Sequence, residues 1–292
     1  MTPDCAGPHP HPHPPKHAAP RGAVDSHSHV FGPLAKFPYV TPRTYTPPQA
    51  PLASYLAMLD AIGVDHGVLV QPSVYGSDNS CMLDSLEQAQ GRLRGVVVCD
   101  PRKLDAKTVD EWSRLGVCGI RLNMAVPGGL PLDEMEPMAQ CLAELGWHLD
   151  LIVDNAERMA QVAPRLSKLR CVVCVEQMGR MKGGQPLTHP GFQGLLSLLR
   201  EGKDYVKLSH GYHISTQGAP YADTTPFARA LVQAAPDRLV WGSDWPHPVV
   251  HGPMPDDGDL LDLLAEWVPD MAARHRVLTD NGARLYGFAP AR

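Results

Sequence analysis

Residues 23–29 read Ala-Val-Asp-Ser-His-Ser-His, a short run that opens apolar and closes on polar, imidazole-bearing side chains. That sense, apolar strand first and polar terminus second, returns at 67–71, 95–99, 118–123, 148–153, 171–176, 205–209 and 239–244. Amphipathic stretches at 52–62, 81–89, 106–115, 133–145 and 227–235 separate most of these runs, as helical crossovers between parallel strands would. Eight strands alternating with helices predict an α/β fold, a (β/α)8 TIM barrel with room for distortion. A doubly wound open sheet is the alternative. It loses because no Gly-rich phosphate loop follows any strand, while polar residues stud many strand ends.

The rest of the composition narrows the function. The chain has 292 residues, 43% of them hydrophobic, and a net charge of −5, so it carries no basic field for nucleic acid. A mean hydropathy of −0.19 and no long apolar run argue against a membrane span. Residues 1–21, with a Pro-His alternation at 8–14, offer no apolar face and are expected to form a disordered tail outside a single domain at 22–292. The tail lacks the apolar centre of a secretory signal. Seven scattered cysteines, an odd number, fit buried thiols in a reducing, cytoplasmic setting. Cys171 and Cys174 lie three apart on a strand and so face opposite sides, which rejects them as a redox or zinc pair. The proline-rich segment 37–51 reads as a long loop after the first strand.

In a barrel, chemistry gathers where the strands end. His27 and His29, two apart on the first strand, point to one face. Two imidazoles there suit a divalent metal or the carbonyl oxygen of a substrate. Asp244, which ends the last strand, would face them across the mouth as a general base, with a turn aspartate as the bland alternative.

Several segments then carry a resemblance: Val24-Asp-Ser-His-Ser-His-Val-Phe-Gly32, Val175-Glu-Gln-Met-Gly-Arg180, Tyr205-Val-Lys-Leu-Ser209, Leu239-Val-Trp-Gly-Ser-Asp-Trp-Pro-His-Pro248 and Asp280-Asn-Gly-Ala-Arg-Leu-Tyr286. Together they resemble the amidohydrolase superfamily, and within it the 2-pyrone-4,6-dicarboxylate hydrolase (lactonase) group, from about residue 23 to 288. The resemblance implies a lactone ring opened by water. His27 and His29 would polarise the carbonyl, Asp244 would take the proton, and Arg121 would clamp a substrate carboxylate. A structural arginine bridging strand ends is the other reading of Arg121. Ser73, Tyr75, Ser77 and His247 are expected near the pocket, with turn or packing roles as their alternatives. Arg180 and Asn281 read as supporting or structural.

Three departures from the family pattern matter. Gln177 stands where relatives carry a third histidine, His210 and His213 are additional imidazoles, and the loop 124–130 has no arginine. Gln177 is a poor zinc ligand but can donate to a carbonyl oxygen. The expectation is therefore no cofactor. If Zn or Mn were bound, His27, His29, His210 and Asp244 would hold it. His66, His148, His189, His251 and His275 are given no role. The expected partner is a small lactone, with no nucleic acid or membrane, and the oligomeric state is left open. Competing readings are a lactone isomerase on the same scaffold, a metal-dependent amidohydrolase or decarboxylase, and a binding protein that has lost catalysis.

Overall fold

The structure, a computed structural model, describes residues 3–126, 132–250 and 252–289. Eight strands form one sheet: β1 (Val24–Ser28), β2 (His66–Val70), β3 (Leu93–Val97), β4 (Val117–Asn123), β5 (His148–Ile152), β6 (Val173–Val175), β7 (Tyr205–Leu208) and β8 (Leu239–Trp241). Each pairs in parallel with the next in chain order. Nearly every strand residue is buried, as parallel strands covered on both faces must be. The expected α/β barrel is present, with every strand end within three residues of where periodicity puts it.

The connections are α1 (Leu52–Ile62), α2 (Ser80–Gln88), α3 (Ala106–Leu115), α4 (Met135–Leu145), α5 (Ala156–Leu166), α6 (Pro190–Arg200), the single turn α7 (Gly211–Ile214), α8 (Thr225–Ala234), α9 (Asp257–Trp267), α10 (Met271–Leu278) and α11 (Asp280–Tyr286). Local chemistry marks their ends. Asp105 and Asn155 accept the Thr108 and Arg158 backbone N–H groups at the starts of α3 and α5. Left-handed Gly116 (φ 102°) closes α3. Among the described residues no helix is long and apolar enough to cross a membrane.

The seam between β8 and β1 is closed by the segment that follows β8. Asp244 N donates to His27 O at 2.9 Å, and His29 N donates to Trp245 O at 2.8 Å. Asp25 reinforces it: its carboxylate accepts from Ser243 N (2.8 Å), Ser243 Oγ (2.6 Å), Tyr55 OH (3.0 Å) and His27 N (3.2 Å). Gly242 permits the close approach, since a Cβ there would stand 2.8 Å from His27 Cβ. The two ends of the chain's strand order are thus joined at His27, His29 and Asp244.

Residues 3–21, expected to lie outside the fold, run along its surface. Cys5 N donates to Thr46 O at 2.8 Å, and His13 N approaches both carboxylate oxygens of Asp256 at 3.2 Å. Lys16 N and His17 N donate to Asp262 at 3.1 and 3.0 Å. Composition shows that a proline-rich segment cannot pack an apolar face. It does not show that acidic groups of α9 meet the few N–H groups that segment retains. All seven cysteines are free. His251 and residues 127–130 of the arginine-free loop lie outside the described residues.

Candidate active site

At the C-terminal ends of the strands His27, His29, His210 and Asp244 converge, all buried. Asp244 adopts a left-handed backbone (φ 65°), as does His210 (φ 66°), conformations that surrounding contacts must hold in place. The two oxygens of Asp244 have different neighbours. Oδ2 lies 2.7 Å from His210 Nδ1 and accepts from Tyr212 OH at 2.5 Å. Oδ1 faces the pair on β1, with His27 Nε2 at 3.3 Å and His29 Nε2 at 3.9 Å. Burial alone would raise the Asp244 pKa. His210, at hydrogen-bond distance, leads the effects that outweigh it, and the carboxyl is held well below the usual range.

Hydrogen bonding assigns the imidazole protons. Lys207, fully buried in β7, donates from Nζ to His27 Nδ1 at 3.2 Å and to Asp150 Oδ2 at 2.5 Å. Burial would discharge Lys207, but Asp150 beside it keeps the ammonium charged. An ammonium only donates, so His27 Nδ1 is an acceptor. Burial and the Lys207 charge push the His27 pKa well down, so the ring is neutral and its one proton sits on Nε2. That N–H is buried and makes no in-line hydrogen bond among the described residues. His29 is the reverse case. Its Nδ1 lies 2.7 Å from Val70 O, a pure acceptor, and its pKa is lowered to about 4, chiefly by burial. The neutral His29 therefore carries its proton on Nδ1 and turns a bare Nε2 lone pair toward Asp244.

One ligand atom each from His27, His29 and Asp244 falls within 4.8 Å of the others, as it does for His27, Asp150 and Glu176. Spacing alone would admit a divalent ion. The donor chemistry fits poorly, because a metal needs the Nε2 lone pair of His27 and the Lys207 ammonium puts a proton there.

Other expected residues fall in different places. Arg121 is buried, but its Nε and Nη2 grip Glu176 at 3.0 and 2.7 Å, and its Nη1 donates to Gln71 O at 3.1 Å. Its bidentate edge is already filled, so the expected carboxylate clamp is not free on that side. Ser73 and Ser77 line a cavity of about 380 Å³ with Gln71, Arg121 and Asn123, roofed by Val40 and Pro42 of the long loop. Tyr75 does not line that cavity. Its OH accepts from Gly32 N at 3.2 Å and its ring packs 5.3 Å from Tyr39. Gln177 is buried, and its Oε1 finds no partner among the described residues. His213 stacks on His210 with centroids 4.2 Å apart. His247 is enclosed, with Nε2 3.1 Å from Asp257 and Nδ1 3.3 Å from Tyr212 OH.

Sequence reasoning passed over Lys207, Asp150 and Tyr212. The first two left a signal: a lone charge inside an otherwise apolar strand can be buried only if paired. Tyr212 left none.

Residues 24–288 match the amidohydrolase family. The chain is 39% identical to a 4-sulfomuconolactone hydrolase of Rhizobium radiobacter, over 98% of this chain and 96% of that protein. It is 35% identical to a 2-pyrone-4,6-dicarboxylate hydrolase of Comamonas testosteroni, over 93% and 92% of the two. A ligand-free crystal structure of an Agrobacterium tumefaciens protein superposes with a TM-score of 0.86 at 30% identity, covering 95% of this chain and all of that one (100%).

Proposed function

The chain belongs to the amidohydrolase family, and on that premise we propose that it hydrolyses a carboxylated lactone of the 2-pyrone-4,6-dicarboxylate type without a metal. The observation that carries the reading is the division of Asp244: Oδ2 is occupied by His210 and Tyr212, while Oδ1 faces the two imidazoles of β1.

Water held by the His29 Nε2 lone pair gives a proton to Asp244 Oδ1 as its oxygen attacks the ring carbonyl carbon. The resulting oxyanion accepts from His27 Nε2–H, which has no hydrogen-bond partner among the described residues. Collapse breaks the bond between the carbonyl carbon and the ring oxygen, and the proton on Asp244 passes to that leaving oxygen. The product is an open hydroxy acid. The β1 pair is thus divided, with His27 as donor and His29 as acceptor, where the family resemblance implied that both polarise the carbonyl. Metal independence is part of the proposal and rests on the Lys207–His27 contact.

The test is turnover of a lactone panel led by 2-pyrone-4,6-dicarboxylate, with NMR identification of products, in the presence and absence of EDTA. An open hydroxy acid formed equally in both conditions supports the reading. A rearranged lactone would make the protein an isomerase, and loss of turnover in EDTA would make it a metalloenzyme.

A further inference from the structure

Three groups lie in a line behind Asp244: Tyr212 of α7, His247, and Asp257, the first residue of α9. Each step of the line is a hydrogen bond. Tyr212 OH is 2.5 Å from Asp244 Oδ2, His247 Nδ1 is 3.3 Å from that hydroxyl, and His247 Nε2 is 3.1 Å from Asp257 Oδ1. His247 and Asp257 are fully excluded from solvent. The backbone ties the two ends together. His247 N donates to Asp244 O at 2.8 Å, and both residues have positive φ (58° and 65°), so one tight turn carries the carboxylate and the imidazole. The Tyr212 and His247 rings meet edge to face, 88° apart with centroids at 5.4 Å.

Counting hydrogens along the line fixes where they sit. Tyr212 has one hydroxyl hydrogen, and the ionised Asp244 can only accept, so that hydrogen lies toward Oδ2. The phenol oxygen is then an acceptor toward His247, whose Nδ1 must carry a hydrogen. Asp257 sits in the first turn of α9, where the helix N-terminus favours a carboxylate, and it accepts from Nε2. Both ring nitrogens are therefore protonated and His247 is an imidazolium. Burial would discharge it, but Asp257 outweighs burial and raises its pKa, with Asp244 and Asp25 adding to the effect. A cation behind the phenol polarises its O–H and strengthens the bond to the carboxylate.

We propose that Tyr212, His247 and Asp257 are positioning residues for the base: the His247 imidazolium, anchored by Asp257, aims the Tyr212 hydroxyl at Asp244 Oδ2 and leaves Oδ1 as the oxygen that takes the water proton. This rests on Asp244 being the base of the lactone-hydrolase reading. It adds the device that makes the two oxygens of that base unequal. A carboxylate oxygen already accepting a charge-assisted hydrogen bond is the poorer proton acceptor of the pair.

The experiment has a spectroscopic arm and a kinetic arm. Long-range ¹H–¹⁵N correlation spectra at pH 7.5 should show both nitrogens of His247 protonated, and Asp257→Asn should return the ring to its neutral form. This arm stands whatever reaction the protein performs, and a neutral His247 in the wild type overturns the proposal. In the kinetic arm, Tyr212→Phe should lower kcat on 2-pyrone-4,6-dicarboxylate about 10- to 100-fold, with KM within about threefold. His247→Phe should cost about 10-fold. The Tyr212→Phe/His247→Phe double variant should match Tyr212→Phe alone, because His247 acts through the hydroxyl. Losses that multiply in the double variant, losses that fall on KM, or no loss in Tyr212→Phe would overturn the assignment. His247→Gln keeps a donor toward Tyr212, should retain more activity than His247→Phe, and serves if the latter does not fold. Asp244→Asn separates the two levels. Retained turnover there refutes the lactone-hydrolase reading, while the His247 spectrum still decides the proton arrangement.

Discussion

Lys207 Nζ lies 3.2 Å from His27 Nδ1, with both side chains fully excluded from solvent. This contact decides which imidazole nitrogen carries the proton, and therefore whether His27 can donate to an oxyanion. Long-range ¹H–¹⁵N correlation spectra of the imidazoles should show His27 neutral, in the Nε2–H tautomer, at neutral pH. Detection of Nδ1–H would refute the assignment. Lys207→Met would leave the buried Asp150 carboxylate with only His148 Nε2, 3.2 Å from its Oδ1, and should cost about 3–5 kcal/mol of stability, read from denaturant unfolding.

Asp244→Asn removes the proposed acceptor for the water proton but keeps the shape of the group. It should reduce kcat/KM by ~10²- to 10⁴-fold on the lactone that turns over, with an unchanged circular dichroism spectrum. A variant that keeps full activity would mean that Asp244 is a turn residue and not the base.

Acid stability follows from the imidazoles. His29 is held at about 4 and His213 at about 3, in both cases chiefly by burial, against an ordinary value of 6.5. Between those values the unfolded chain binds protons that the folded chain refuses. The contribution is therefore fully present above pH 6.5 and is lost as pH falls toward 4 and below. The melting temperature should drop by several degrees from pH 7.5 to pH 4.5, and His29→Gln should flatten that dependence. A melting temperature that holds or rises on acidification would contradict these burial-driven shifts.

Metal content separates the competing chemistries. Protein without residues 1–21, dialysed against EDTA, should retain its turnover and contain less than about 0.1 equivalent of zinc or manganese by elemental analysis. Deleting the segment keeps its histidines from contributing metal of their own. Stoichiometric metal, with activity restored only by adding it back, would show that His27 adopts the other tautomer and ligates.

The barrel seam makes a packing prediction. Gly242→Ala places a methyl 2.8 Å from His27 Cβ and 3.1 Å from His27 N, so β8 must move away from β1. The cost should be about 1–3 kcal/mol. Activity should fall as well, because Asp244 and His27 sit on opposite sides of that seam. Unaltered stability would mean that the strands part without strain.

The sequence by itself determined the eight strands, their parallel order and the arrival of His27, His29 and Asp244 at one mouth. These follow from local rules: an apolar run of strand length, the two-residue alternation that sets His27 and His29 on one side, and the barrel rule that places strand ends together. Tertiary structure alone decided the pairing of charges. Arg121 is 55 residues from Glu176, and Lys207 is 57 from Asp150 and 180 from His27. No periodicity links such positions. Whether an arginine is held by a neighbouring carboxylate, and which nitrogen of an imidazole holds its proton, depends on what lies within about 3 Å across the barrel. That distance is set by the packed interior, where a buried charge must find a partner.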